Sequence, residues 1–193
     1  MRIFLAGASG VIGRRLTPLL VEAGHEVAGT TRSDEKADVV RGLGAEPVVV
    51  DVYDAAGLRD AVVAFGPDAV MHQLTDLPAS ADEVAAHAAA NARIRDEGTA
   101  NLIAAAQAAG AERFLAQSIA WIPAAGAESR ERHESQVLAY TGIGIVLRYG
   151  QFYGPGTYYE AEPPDPPRIE IGAAACRTAS LLDTPSGVVT ITD

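Results

Sequence analysis

The sequence predicts an α/β fold built on a doubly wound parallel sheet, and three observations predict it. Short apolar runs alternate with longer helical patterns over most of the chain. The runs are mostly apolar and not alternating, as strands buried on both faces are. A glycine-rich turn, Gly7-Ala8-Ser9-Gly10-Val11-Ile12-Gly13, joins the first run to the first helical stretch. Repeated strand–helix alternation favours crossovers that lay helices on both faces of one sheet.

The elements follow in order. Strands are expected at Ile3–Ala6, Val27–Thr30, Pro47–Val50, Ala69–His72, Phe114–Gln117 and Ile143–Leu147, each rich in Val, Ile, Leu or Phe and bounded by Gly, Pro or Asp. Helices are expected at Val11–Ala23, Glu35–Gly42, Ala55–Phe65, Asp82–Ala109 and Glu128–Tyr140. After Gly154 the texture changes, because five of the eleven prolines fall within Gly154–Pro167. Proline fixes φ and removes a donor, so a semi-extended surface loop is expected there. A helix at Gly172–Leu182 and a strand at Val188–Ile191 would complete the fold. We expect one domain over residues 1–193, with 154–193 as a reduced substrate-side region.

Composition narrows the function. The 193 residues are 48% hydrophobic and 21% charged, which describes a globular chain. The net charge of −10 argues against a nucleic-acid partner, which demands clustered positive charge. A lone Cys176 closes no internal disulfide, so a reducing, cytoplasmic setting is expected. The first residues read as a strand, not a leader, and no apolar run is long enough for a membrane span. No His/Cys/Asp/Glu spacing suggests a metal site.

The glycine turn carries the clearest chemistry. Gly7 permits the tight turn, Gly10 lets backbone amides approach a pyrophosphate, and Gly13 lets the helix pack on the sheet. The helix N-terminus then offers unpaired N–H groups to phosphate. Ser9, Val11 and Ile12 belong to the same cradle. At the end of the second strand, an acid that would hold the ribose 2′-hydroxyl of NAD is missing. Thr31 stands in its place, followed by Arg32 and Ser33. A guanidinium fork there suits a 2′-phosphate. NADP is therefore expected, with NAD possible, and Lys36 is a further phosphate contact. Asp51 and Val52 would flank the adenine.

Taken together, the chain resembles the extended and atypical short-chain dehydrogenase/reductases, the NAD(P)-dependent epimerase/dehydratase group. The matching pieces are Gly7–Gly13, Asp51-Val52, Asp68–Gln73, Gly98–Ile103, Ser118 and Leu147–Gly156. The resemblance implies a Rossmann fold. It makes Ser118 the serine that bonds a substrate carbonyl or hydroxyl. It places Gln73, Leu74 and Thr75 along the cofactor, and Tyr149, Gly150 and Gln151 beside nicotinamide and substrate. Trp121 and Tyr153 are further expected substrate contacts. The alternative for Ser118 is a strand-end cap, and for the tyrosines half-buried packing.

The pattern also breaks. The family's proton donor is a tyrosine with a lysine four residues later. The only lysine is Lys36, and no tyrosine lies between Ala120 and Glu134. Matching Glu134 to the family's glutamate puts the tyrosine position near Gly126 and the lysine position near Arg130. The stretch Trp121–Arg130 looks trimmed, and the substrate lobe after the sixth strand looks reduced. His133, flanked by Glu131 and Glu134, is a candidate acid or base; the alternative is an exposed histidine in a charged run. His72 reads as a bonded core or loop-support residue. Ser118 lacks evident His–Asp partners for a hydrolase triad.

The leading expectation is an NADP(H)-dependent, reductase- or epimerase-like enzyme acting on a small carbonyl or hydroxyl compound. The alternatives are a non-redox cyclase, isomerase or lyase, or a non-enzymatic NADP-binding regulator. A homodimer through the two long helices is possible, with Ala85, Ala88, Ala89 and Ala92 as the contact face.

Overall fold

The computed structural model describes residues 1–122 and 126–193. Of the stretch Trp121–Arg130 that looks trimmed in sequence, residues 123–125 therefore lie outside the described residues. The strands are β1 (Arg2–Ala6), β2 (Glu26–Thr31), β3 (Glu46–Val49), β4 (Ala69–His72), β5 (Arg113–Ile119), β6 (Ile143–Tyr149), β7 (Gln151–Tyr153), β8 (Arg168–Glu170) and β9 (Gly187–Ile191). Seven of them form one parallel sheet in the order β3-β2-β1-β4-β5-β6-β9. The helices α1 (Gly13–Glu22), α2 (Asp34–Gly42), α3 (Ala55–Phe65), α4 (Ala88–Arg93), α5 (Thr99–Ala108), α6 (Ala127–Leu138) and α7 (Ile171–Ala179) supply the connections. This is the expected doubly wound Rossmann-like fold.

The apolar runs explain the layering. Successive side chains in β1 point to opposite faces. Ile3 and Leu5 join Leu16 and Leu20 of α1 and Ala174 and Ala175 of α7 in one layer. Phe4 and Ala6 join Leu58 and Val62 of α3 and Leu102 and Ala106 of α5 in the other. A strand with apolar residues at every position has two faces to bury, so helices must cover both. Local signals agree: the Asp54 carboxylate accepts the Gly57 N–H at 3.0 Å and starts α3 where the sequence places it.

Two segments differ from expectation. The single helix expected over Asp82–Ala109 is a 3₁₀ turn at Ala81–Glu83, then α4, a π-helical turn at Ile94–Gly98, and α5. The i→i+5 turn shifts the helix phase, so that Ile94, Arg95 and Gly98 are all buried. An alanine-rich run supports several helix phases equally well, and tertiary packing chooses among them. The second difference lies after β6. The semi-extended surface loop is instead bracketed by a parallel pair, β7 with β8. This pairing joins distant short segments that carry no period of their own.

Candidate functional site

A cleft of about 1240 Å³ opens where the sheet order reverses between β2-β1 and β4-β5. Doubly wound sheets bind ligands outside the carboxyl ends of their strands at this reversal. The glycine turn forms one wall. Gly7 has φ +95°, and a Cβ there would lie 2.9 Å from the Gln73 backbone. A Cβ on Gly13 would lie 2.2 Å from the Gly7 carbonyl oxygen. Both positions therefore need the absence of a side chain. The Gly7 N–H donates to Thr30 Oγ1 at 3.1 Å, and the Gly10 N–H donates to the Gly7 carbonyl at 3.0 Å. The N–H groups of Val11, Ile12 and Gly13 have no backbone partner among the described residues. The turn thus offers free amides at the N-terminus of α1, which fits the pyrophosphate of a dinucleotide.

Of the expected cofactor residues, Gly7, Ser9, Gly10, Val11, Ile12, Thr31, Arg32, Ser33, Val52, Gln73, Leu74 and Thr75 line this cleft. Gly13 lies behind it as the packing glycine. Asp51 is a correction: it does not line the cleft, and its carboxylate accepts the Tyr53 N–H at 2.9 Å. That bond turns its own loop, so Val50, Val52 and Tyr53 form the wall there instead. Arg32 and Lys36 are exposed, line the cleft, and have no carboxylate partner among the described residues. A phosphate would find both cations free.

The opposite end is organised around Glu134 of α6. Ser118, at the end of β5, is 1% exposed and donates its hydroxyl to Glu134 Oε1 at 2.6 Å. Arg148 of β6 holds the same carboxylate with two bonds, at 3.0 and 2.6 Å. Burial works against the ionised carboxylate. The bonds from Arg148 and Ser118 outweigh it and hold the pKa below the ordinary carboxylate value. Ser118 lines the cleft, so its hydroxyl meets a ligand as an acceptor while its proton faces Glu134.

Two catalytic expectations are corrected. His133 is not an exposed member of a charged run, and it has no free nitrogen for acid–base work. It is 0% exposed and sits in a closed chain of hydrogen bonds. The Leu74 N–H donates to His72 Nδ1 at 3.2 Å, so His72 carries its proton on Nε2 and donates to Thr99 Oγ1 at 3.1 Å. Thr99 donates to His133 Nδ1 at 2.7 Å, and His133 Nε2–H donates to the Gln117 carbonyl at 2.8 Å. Every group in the chain is satisfied with both imidazoles neutral. Burial and the facing His133 lower the His72 pKa to about 3, and burial also lowers that of His133. The chain ties the Leu74 and Gln117 walls of the cleft together. Its sequence signal was the expectation that His72 supports a loop.

Tyr149 is the second correction. It borders the cleft, but it is 3% exposed and its hydroxyl is committed. It donates to Thr178 Oγ1 at 2.7 Å and accepts from Gln73 Nε2 at 3.3 Å. Burial raises its pKa, so it is a poor proton donor. Among the expected substrate contacts, Trp121 and Gln151 line the cleft. Tyr153 does not; its hydroxyl turns away to the Asp193 carboxylate at 3.1 Å. Phe152 and Tyr158 line the wall instead, and Tyr158 reaches across to the Pro78 carbonyl. Of the alanine face expected for a dimer, Ala85, Ala88 and Ala92 line the cleft, and Ala89 is exposed outside it.

A family model described as NAD(P)H-binding matches residues 7–141. The chain belongs to this NAD(P)H-binding family. Its fold is the epimerase/dehydratase-like fold of the short-chain dehydrogenases/reductases. A 3-diazoavenalumate denitrifying reductase from a Streptomyces species is 37% identical over 217 aligned positions, covering 100% of this chain and 67% of that protein. A Stigmatella aurantiaca ketoreductase named for 4-hydroxy-2-methyl-3-oxo-4-farnesyl-3,4-dihydroquinoline-1-oxide is 31% identical over 138 residues, covering 72% of this chain and 39% of that protein. The chain thus spans only part of the relatives it matches. The UDP-glucose 4-epimerase of Thermus thermophilus, solved with NAD, superposes with a TM-score of 0.81 at 22% identity, covering 100% of this chain and 78% of that one. The anaerobillin reductase of Escherichia coli O157:H7 superposes with a TM-score of 0.74 at 18% identity, covering 98% of this chain and 96% of that one. These two establish likeness of fold. Among the described residues, no helix is long and apolar enough to cross a membrane.

Proposed function

We propose that this member of the family is an NADPH-dependent reductase. Its substrate is a small, largely apolar compound, and the group reduced is a carbonyl or another hydride acceptor such as a diazo function. The observation that carries the reading is the asymmetry of the cleft. One end offers the free cations Arg32 and Lys36 with Ser33, which suit a ribose 2′-phosphate. The other ends at Ser118 among apolar walls that include Leu77, Val84, Ile119, Trp121 and Phe152. The Streptomyces reductase, similar over the whole chain, supports reduction.

The glycine turn and Arg32 would hold the cofactor, and Gln73, Leu74 and Thr75 would follow it toward Ser118. Bound there, the nicotinamide supplies a hydride. Ser118, whose hydroxyl proton is held by the Glu134 carboxylate, would accept a hydrogen bond from a substrate hydroxyl beside the group to be reduced. The phenol of Tyr149 and both buried imidazoles are committed to other partners, and α6 carries neither tyrosine nor lysine. A reduced oxygen would therefore take its proton from water entering the cleft. A diazonium would need none: it accepts hydride at carbon and leaves as dinitrogen. The diazo reading draws its support from the name of the Streptomyces relative.

The test is consumption of reduced nicotinamide, followed by absorbance, with NADPH or NADH and a panel of aryl ketones and aryl diazonium salts. Turnover with NADPH is expected, and oxidation with no member of the panel would sink the reading. Arg32→Ala should weaken NADPH about tenfold or more, through loss of a charge-assisted bond, and leave NADH unchanged. Equal losses for the two cofactors would refute the 2′-phosphate role.

A further inference from the structure

We propose that Arg95 is the receptor for a carboxylate on the substrate, at the Ser118 end of the cleft. The inference rests on the reading that this end takes the substrate, and it adds the substrate's class: an apolar monocarboxylate.

Arg95 lies in the π-helical turn between α4 and α5, a kind of turn that recurs at functional sites. It lines the cleft and is only 7% exposed. Its Nε is buried with no hydrogen-bond partner, and no carboxylate pairs with the side chain among the described residues. Pro123, Ala124 and Ala125 add no carboxylate from their side chains. Such a burial is costly unless an opposite charge arrives, so a buried unpaired guanidinium marks a place built for an anion.

The surroundings strengthen the case. The Nε of Arg130 is likewise buried and unbonded, and among the described residues its NH1 reaches only the Ile119 and Trp121 carbonyls, at 3.4 Å. Glu134 is consumed by Arg148 and Ser118. Asp96, the next residue along, is taken by Arg132 at 2.8 Å. Three guanidiniums, Arg95, Arg130 and Arg148, thus face one carboxylate, Glu134, for 3 − 1 = +2. That surplus stands inside a chain of net charge −10. Burial and then the Arg130 charge lower the Arg95 pKa, the Glu134 and Asp96 charges raise it only in part, and the charge of a bound anion would offset more.

Two features choose the anion. Arg130 does not line the cleft, so a ligand meets one guanidinium fork, which matches a planar carboxylate through two parallel bonds. The cofactor pyrophosphate has its own cradle at the glycine turn. The charge of Arg95 instead acts on Glu134 and His133, at the Ser118 end. The apolar lining of the same cleft, which includes Ile94, Val84 and Trp121, suits an apolar body.

The experiment titrates the full chain, with and without NADPH, with cinnamate and its neutral amide, cinnamamide, by calorimetry in a buffer free of other carboxylates and phosphate. Cinnamate is expected to bind at least about tenfold more tightly than cinnamamide, as a charge-assisted pair requires. Arg95→Met should erase that preference while its NADPH affinity stays within about twofold of the parent. Arg95→Lys keeps a charge but loses the fork, and it covers the case in which Arg95→Met does not fold. It should retain part of the preference. Equal binding of acid and amide by the parent protein would overturn the proposal. So would a cinnamate preference that survives in Arg95→Lys undiminished, or an equal loss of NADPH and cinnamate in Arg95→Met, which would make Arg95 a cofactor-phosphate ligand. If NADPH does not bind at all, the reductase reading fails. An Arg95-dependent preference in the cofactor-free titration would still support the anion site.

Discussion

Gly13→Ala is expected to lose about 3 kcal/mol of stability and about two orders of magnitude in NADPH affinity. The added methyl would sit 2.2 Å from the Gly7 carbonyl oxygen and 2.7 Å from that of Ala8. Both neighbours are backbone, so the turn itself must move. Forcing a methyl into a packed site costs about 1–3 kcal/mol, and a contact this short belongs at the upper end. The moved turn no longer aims its amides at the pyrophosphate. Losing two charge-assisted bonds at roughly 1.5 kcal/mol each gives the loss of affinity. Gly42→Ala is the control, because a Cβ there meets nothing within 4 Å. Urea melts and a fluorescence titration of NADPH check both proteins. Parental affinity in Gly13→Ala would remove the glycine turn from the cofactor site.

Acid is expected to destabilise the fold through the buried histidine chain. The His72 pKa falls from an ordinary 6.5 to about 3 in the folded protein. Its folded pKa lies below its unfolded one, so between those values the unfolded chain binds the extra proton. Stability is then complete above about pH 6.5 and declines as the pH falls toward about 3. From pH 7 to pH 5 His72 alone removes about 2 kcal/mol. His133 acts in the same direction, since burial lowers its pKa as well. Glu134 also loses its pairing in acid, but only below the ordinary carboxylate range, because its pKa is lowered. The loss between pH 7 and pH 5 is therefore assigned to imidazole. His72→Gln should be less stable than the parent at pH 7 and show a shallower decline toward pH 5. Parallel declines of the two proteins in urea melts would exclude His72 as the source.

The fold was legible because its signals are local. Unbroken apolar runs such as Phe4-Leu5-Ala6 and Ala69-Val70-Met71 announce strands buried on both faces, and the spacing of Gly7, Gly10 and Gly13 announces the cradle. That the glycine turn would line a cleft was legible for the same reason, as was the place of Thr31, Arg32 and Ser33 on its wall at the end of β2. Asp51 was misplaced because a carboxylate that turns its own loop looks, in sequence, like one that faces a ligand. The catalytic end was the least legible. His133 carries charged neighbours along the chain, yet it is buried against Thr99 and His72 from other elements. Tyr153 and Tyr149 lie on consecutive strands after Ser118, and only their hydroxyl partners, Asp193 and Thr178, show that neither is free.

The chain's own order of residues set the parallel sheet, the glycine turn and the lack of a tyrosine–lysine pair around Ser118, since each depends on near neighbours or on composition. Whether a side chain is free to react depends on what approaches it from other elements. The folded structure alone shows that the imidazoles are closed into a neutral chain, that the Ser118 hydroxyl donates a hydrogen bond to Glu134, and that the guanidinium of Arg95 lies buried on the cleft with no carboxylate partner among the described residues. Burial and hydrogen-bond partners come from distant parts of the chain, and they determine which groups keep their charge and which stay unmatched.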